Sequence, residues 1–314
     1  GAKNDGTIVA ADAYLAYEAG AYPGSPVSGG GVSMFMPYAI PNVRALCLDV
    51  IVNKTKTAAY RAPGVPAAAF AIESIIDELA EKLEIDPIAI RIQNAAEEGT
   101  RRHDGVLAPS MAVKELLEEA QATEHWNAEL SDPSIGRGIA IGAWGNGGME
   151  SSASASINSD GTINLNTGSV DIGGQRASLA MQLAETLGVE YDSIKPQVVD
   201  TDSIGYTAVS AGSRTTFATG IAVIEVGNKI KKQIINRVAT FWEIDANALK
   251  YNDDGSVSSP DKIINFKEIA AMLPNTGGRI QASIDIQATT HVPTIACHIV
   301  DVKVDEETGK VDIL

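Results

Sequence analysis

The chain has little of what builds a covalent or metal staple. Of its 314 residues only Cys47 and Cys297 carry thiols, far apart and outside any CxxC pattern, and no pair of histidines has ligand spacing. These absences exclude an iron–sulfur cluster or a zinc site assembled by this chain, and they predict two reduced thiols in a cytoplasmic protein. Basic runs are also missing. Lys229, Lys231 and Lys232 form the longest basic cluster, spaced as the solvated side of a helix, within a net charge of −16 shared evenly along the chain. Nucleic acid is therefore not an expected partner. No apolar run nears the roughly 18 residues of a membrane span, and no signal-peptide pattern opens the chain. There is no Ser/His/Asp order, no P-loop and no GxGxxG. His103, His125, His291 and His298 are scattered among unlike surroundings.

What is present is an ordinary globular composition, 45% apolar and 20% charged, long enough for about two domains with real cores. The first half begins with strands joined by a Gly/Pro/Ser-rich loop from Gly20 to Gly31, and another strand is expected over Asn42 to Val52. A stiff turn follows at Ala62-Pro63-Gly64-Val65-Pro66. Ile72, Ile75, Ile76, Leu79, Ala80 and Leu83 then fall on one helical face, and Asp86-Pro87 ends the run. A second helix is expected over about Met111 to Ala122.

A polar linker at Leu130 to Gly136 marks the predicted boundary between domains 1–134 and 135–314. Beyond it, Ala153–Ile157 and Thr162–Thr167 flank Asp160-Gly161 as a hairpin, and a helix closes at Gly188. A long helix runs from Thr216 to Trp242 with Val223, Val226, Ile230, Ile234, Val238 and Phe241 as its buried stripe. Another hairpin turns through Glu306 to Gly309. Each half mixes strands with helices, an α+β plan of two subdomains.

Three stretches combine glycine with polar groups as an anion site requires. They are Tyr60-Arg61-Ala62-Pro63-Gly64, Gly168 to Gln175, and Ser210-Ala211-Gly212-Ser213-Arg214-Thr215-Thr216. Each also has a structural reading: Arg61 in a surface ion pair, Gly173-Gly174 as a strand-to-helix turn, Ser213 to Thr216 as a helix cap.

Their order and separation resemble the large, molybdenum-cofactor-binding subunit of the xanthine dehydrogenase and aldehyde oxidase family. The resemblance runs through Ile40-Pro41-Asn42-Val43-Arg44, then Ala59-Tyr60-Arg61-Ala62-Pro63-Gly64 continuing into Glu73, Asp77-Glu78-Leu79-Ala80, Asp86-Pro87 and Arg91-Ile92-Gln93-Asn94. It resumes at Asp171 to Gly174, Gln182 to Gly188, Asp200-Thr201-Asp202, Ser213-Arg214 and Val304 to Gly309. It implies a molybdopterin fold and hydroxylation of a heterocycle or aldehyde with water-derived oxygen. It further implies electrons leaving to iron–sulfur clusters and FAD on partner subunits, and an oligomer.

By position, the resemblance makes Arg61 the substrate-site arginine. Gly173, Gly174 and Gln175 become a cofactor loop, and Ser210, Ala211, Gly212 and Ser213 the loop holding the pterin and its phosphate. Trp144 becomes the aromatic beside the substrate. The family's Gly-Gln-Gly order is here Gly173-Gly174-Gln175, and Ala62 replaces the cysteine of the carbon monoxide dehydrogenase branch. Gly1 without an initiator Met and an apparent unfinished strand at Val311 to Leu314 suggest a piece of a longer polypeptide. Such a piece would lack the family's catalytic glutamate, since none of Glu18, Glu73 and Glu150 matches its position. It would be inactive alone and prone to self-association. The rival expectation is a cofactor-free relative serving as a binding or assembly module.

Overall fold

A computed structural model describes residues 1–314 apart from Thr201, Thr290 and His291. One expected motif residue, Thr201, and one of the four histidines, His291, thus lie outside the described residues. The chain divides into two compact units, one of Gly1–Gly145 with Val292–Leu314 and the other of Asn146–His291.

In the first unit β1 (Ala11–Gly20) pairs in parallel with β2 (Val43–Ile51), and the crossover between them carries α1 (Val27–Ser33). The Gly20 to Gly31 stretch is therefore not wholly an irregular loop. Its glycines are a poor helix-forming run, and α1 exists because another segment packs closely on it, as described below. Helix α2 spans Val65–Leu83, with proline in its first turn where the missing N–H costs nothing. Ile76 and Ala80 of the predicted stripe are buried, whereas Ile75 is exposed. That helix ends at Leu83 with Glu84 as a left-handed cap, and Asp86 starts another, α3 (Pro87–Gln93), by accepting the Ile88 and Ala89 N–H groups. Helices α4 (Val113–Ala122) and α5 (Glu124–Asn127) follow.

The predicted boundary at 134/135 does not separate the compact units. Strand β3 (Ile135–Gly145) stays in the first unit because it pairs antiparallel, from Ile135↔Lys303 to Gly145↔Pro293, with β11 (Pro293–Val304). Strand β12 (Val311–Ile313) adds to β11 through the expected hairpin, giving the order β12-β11-β3. Ile76, Ile88, Ile90, Leu117, Ile139 and Ile141 share the core of this unit.

The second unit holds the hairpin β4 (Met149–Ile157) and β5 (Ile163–Thr167), then α6 (Gln175–Leu187), β6 (Ile194–Val198) and α7 (Gly220–Trp242). A small sheet of β7 (Lys250–Tyr251), β8 (Val257–Ser258) and β9 (Ile263–Ile264), then α8 (Phe266–Met272) and β10 (Gln281–Ala288), complete it. In the sheet β10-β4-β5-β6, Ala153, Ala155, Ile157 and Leu165 pack on Leu183 and Leu187 of α6 and on Val223, Val226, Ile230, Ile234 and Val238 of α7. The predicted α7 stripe is thus buried except at Phe241, which is 52% exposed at the helix end. Alternation leaves Ser152, Ser154, Asn164, Asn166, Ser283 and Asp285 on the opposite, polar face. The architecture is α+β, and among the described residues no helix is long and apolar enough to cross a membrane.

Candidate functional site

In the first unit, close packing places Arg61. A Cβ on Gly29 would lie 2.5 Å from the Pro63 carbonyl oxygen, and one on Gly30 would lie 2.8 Å from that of Gly64. The glycine run of α1 is therefore the seat on which the Arg61 turn rests. Gly64 itself has φ +81° and its Cβ would meet the Pro26 carbonyl oxygen at 2.1 Å, so no other residue fits there without movement. The Tyr17 hydroxyl donates to the Gly64 carbonyl at 2.8 Å. Ala62 is held at φ 47°, a strained conformation for a residue with a Cβ. The result is an exposed Arg61 with no ion-pair or hydrogen-bond partner among the described residues, which removes the surface ion-pair reading.

Beneath this turn α2 is anchored by a buried polar cluster. Glu73 accepts from Arg91 Nε at 2.9 Å, from the Ile141 N–H at 2.9 Å and from the Tyr38 hydroxyl, and Arg91 also meets Asp77 at 2.8 Å. Burial opposes the Arg91 charge, but Tyr38, Glu73 and Asp77 overrule it and lift its pKa. Glu73 is fully committed to structure, so it is no free base. Trp144, on β3 opposite Thr294, has a buried indole Nε1 with no hydrogen-bond partner among the described residues. A buried donor left unpaired in this way costs about 1–3 kcal/mol and suits a polar acceptor that the protein does not supply.

In the second unit the loop after β5 is organised by Asp171, a residue whose role the sequence reading missed. One carboxylate oxygen accepts the Gly173 and Gln175 N–H groups, both at 3.0 Å, and the other accepts Arg176 Nε at 2.7 Å. Arg176, followed by the two N–H groups, lowers the Asp171 pKa to about 2. An aspartate two and four residues before the N–H groups it binds is an Asx-type pattern, and that spacing was the available signal. Gly173 and Gly174 adopt φ 121° and 86°, with nothing within 4 Å of either Cβ position. The expected strand-to-helix turn is therefore real, and its N–H groups are partly occupied.

The third stretch meets the second. Thr216 Oγ1 donates to Gln175 Oε1 at 2.9 Å, leaving the Gln175 amide nitrogen without a partner among the described residues, and Gln182 Nε2 donates to the Thr216 carbonyl. Gly212 (φ 61°) and Ser213 (φ 55°) are consecutive left-handed residues, exposed, with open space around the Gly212 Cβ position. Ser210 lies within 3.4 Å of the Thr215 hydroxyl, and Ala211 is exposed beside it. No side-chain cap is made here. A π-helical turn, Thr215–Thr219, leads into α7 instead, a form often found at functional sites.

What holds that strained loop is Arg214, wholly buried, whose role sequence reasoning missed because all its partners but Ala208 lie more than sixty positions away. Its guanidinium donates to the carbonyls of Gly148, Ala208 and Glu150 and to the Ser151 hydroxyl. Ser151 continues through Thr219 to Ser169. Burial pushes the Arg214 pKa down, yet five-donor geometry still satisfies the group through carbonyl oxygens.

Gln175, Ser210 and Ser213 thus present an amide and hydroxyls around exposed left-handed backbone, a donor set that fits a polar, anionic cofactor such as a phosphate-bearing pterin. Among the described residues no group of three or more His, Cys, Asp or Glu side chains is gathered for an ion, and both cysteines are unpaired. His103 stacks edge-on against Phe35 and His125 contacts Asp301 at 3.2 Å.

Two sequence profiles, each described as a molybdopterin cofactor-binding domain, match residues 107–314 and 1–95. The putative xanthine dehydrogenase molybdenum-binding subunit of Escherichia coli is 27% identical over 337 residues, covering 100% of this chain and 45% of that protein. The aldehyde oxidoreductase of Megalodesulfovibrio gigas is 30% identical over 245 residues, covering 71% of this chain and 26% of that protein. Among solved structures, quinoline 2-oxidoreductase from Pseudomonas putida superposes with a TM-score of 0.84 at 20% identity, over 99% of this chain and 44% of that one. The Cu,Mo-CO dehydrogenase gives 0.83 at 22% identity, over 99% and 45%. These last two likenesses concern the fold alone.

Proposed function

Because the chain belongs to the molybdopterin cofactor-binding family, with xanthine dehydrogenase and aldehyde oxidoreductase molybdenum-binding subunits as its relatives, we propose that it is the cofactor-cradling part of a molybdenum hydroxylase. The observation that carries this reading is the Gly212-Ser213 backbone, strained, exposed and held by Arg214. Strain of this kind persists only where surrounding structure enforces it, and it concentrates at ligand sites.

In this reading Ser210, Ala211, Gly212 and Ser213 receive the pterin and its phosphate through hydroxyl and backbone N–H donors, and Gln175 adds its free amide nitrogen. Gly173 contributes space rather than a donor on the loop it shares with Gly174, since Asp171 already takes the Gly173 N–H. Arg61 orients a substrate carbonyl or stabilises negative charge as it develops. Trp144 lines the substrate pocket and offers its indole N–H. When bound, the molybdenum pyranopterin supplies two-electron oxidation of a heterocycle or aldehyde carbon with oxygen from water. Iron–sulfur and FAD subunits take up the electrons in an oligomeric, cytoplasmic assembly.

The chain spans 45% of the length of the first relative named above, and the activity is proposed for the whole protein. With Glu73 locked against Arg91, this stretch alone is proposed to be inactive. A specific observation favours the rival reading of a cofactor-free binding module, namely the claim of Asp171 on two N–H groups of the second loop. Turnover of the complete, partner-bound enzyme in 18O-labelled water, over a panel of aldehydes and N-heterocycles, separates them. Label in the product is expected, and turnover with unlabelled product contradicts the hydroxylase reading.

A further inference from the structure

Between α3 and α4 the chain makes a small hairpin, with Arg101 bridged to Leu107 and His103-Asp104-Gly105 at its tip. The Arg102 N–H donates to the Val106 carbonyl and the Gly105 N–H to the Arg102 carbonyl, both at 2.9 Å, and Gly105 takes the left-handed bulge position at φ 83°. The edge-on contact of His103 with buried Phe35, 5.7 Å between ring centres, pins that tip to the segment before β2. Between the hairpin and this segment lies a cavity of about 580 Å3, within the range of small-molecule sites. Ile40, Pro41 and Val43 make one part of its wall apolar, while the hairpin contributes Arg101, Arg102 and His103.

The charge of this cavity runs against that of the chain. The molecule carries −16 overall, yet no acidic side chain is among the described residues that wall the cavity. Arg102 points most directly to a ligand. Its side chain is only 15% exposed, and its buried Nε has no hydrogen-bond partner among the described residues. Asp104 meets only its Nη2 nitrogen, and that carboxylate is shared with the Val106 N–H. Arg101 commits only Nη1, to the Gly105 carbonyl at 3.2 Å. Buried polar groups are ordinarily paired, so guanidinium donors left over in a cavity call for an anionic acceptor that the protein does not supply.

We propose that this cavity binds a small organic carboxylate, its head held by the Arg101 and Arg102 guanidinium groups and its hydrocarbon body laid against Ile40, Pro41 and Val43. The planar guanidinium fork matches the two oxygens of a carboxylate. Inorganic phosphate would satisfy the same nitrogens but would leave the apolar wall in water, so the composition of the cavity favours an anion that carries an apolar body. Arg61, the arginine assigned to the substrate, is not among these walls, and the site does not depend on the cofactor reading.

The test is isothermal titration calorimetry of the complete subunit with benzoate, beside benzamide as its uncharged counterpart and inorganic phosphate as an anion without an apolar body. One saturable benzoate site is expected, with a Kd of about 1 mM, and binding at least about tenfold weaker for benzamide and for phosphate. Arg102→Gln should weaken benzoate about tenfold or more. Arg101→Gln should do the same from an exposed position where the fold stays intact, and Arg61→Gln should leave this binding unchanged. Absence of saturable benzoate heat up to about 10 mM would overturn the proposal. So would phosphate binding more tightly than benzoate, or benzoate binding that Arg61→Gln abolishes and Arg101→Gln spares, which would place the anion at the site assigned to the substrate.

Discussion

At the scale of single residues, Asp171 shows how a carboxylate can shape a loop without taking part in its chemistry. Its pKa is lowered to about 2 by the Arg176 guanidinium and by the Gly173 and Gln175 N–H groups. A depressed folded-state value stabilises the native form above the ordinary carboxylate pKa of about 3.9, and that contribution is lost as pH falls toward 2. Urea unfolding of wild type and Asp171→Asn should therefore differ at pH 7 and converge between about pH 4 and pH 2. A gap that persisted at pH 2 would mean that the residue acts through packing. The glycines and serines of the candidate loops are legible in the sequence because their conformational freedom and hydroxyls are intrinsic. Asp171 and Arg214 are harder to find. What matters is which groups they bind, and for Arg214 the Gly148 and Glu150 carbonyls and the Ser151 hydroxyl come from the distant strand β4 and the residue before it.

At the scale of elements, Glu73 joins three of them, since α2 carries it, α3 brings Arg91 and β3 brings the Ile141 N–H. Replacing Glu73 by alanine leaves Arg91 buried without its carboxylate and should destabilise the first unit by about 3–5 kcal/mol. Chemical denaturation followed by circular dichroism measures it, and a change below about 1 kcal/mol would show that Asp77 suffices as a partner. The helices α2 and α7 are readable from periodicity because one face of each is buried over many turns. By contrast α1 defies propensity. Its glycines answer to the Pro63-Gly64 turn that lies across them, a contact no local window contains. Helix α3 is hidden for a different reason: Asp86-Pro87 signals a stop and a start at once.

At the scale of the whole molecule, composition and charge bound the class of protein but not its division. The polar linker near residue 134 is a surface loop within the first unit, because β11 returns from the far end of the sequence to pair along all of β3. Pairing over such a separation leaves no trace in a local composition shift. The central claim is that the second unit cradles a molybdenum pyranopterin on the Gly173 to Gln175 and Ser210 to Ser213 segments. It is tested most directly by molybdenum analysis together with pterin fluorescence on the complete subunit, purified with its partners from a cofactor-competent host. Near-stoichiometric metal and pterin are predicted for the wild type, with both lost from folded Ser213→Val and Gly174→Val variants. A folded wild-type protein empty of both, or variants that retain them in full, would contradict it.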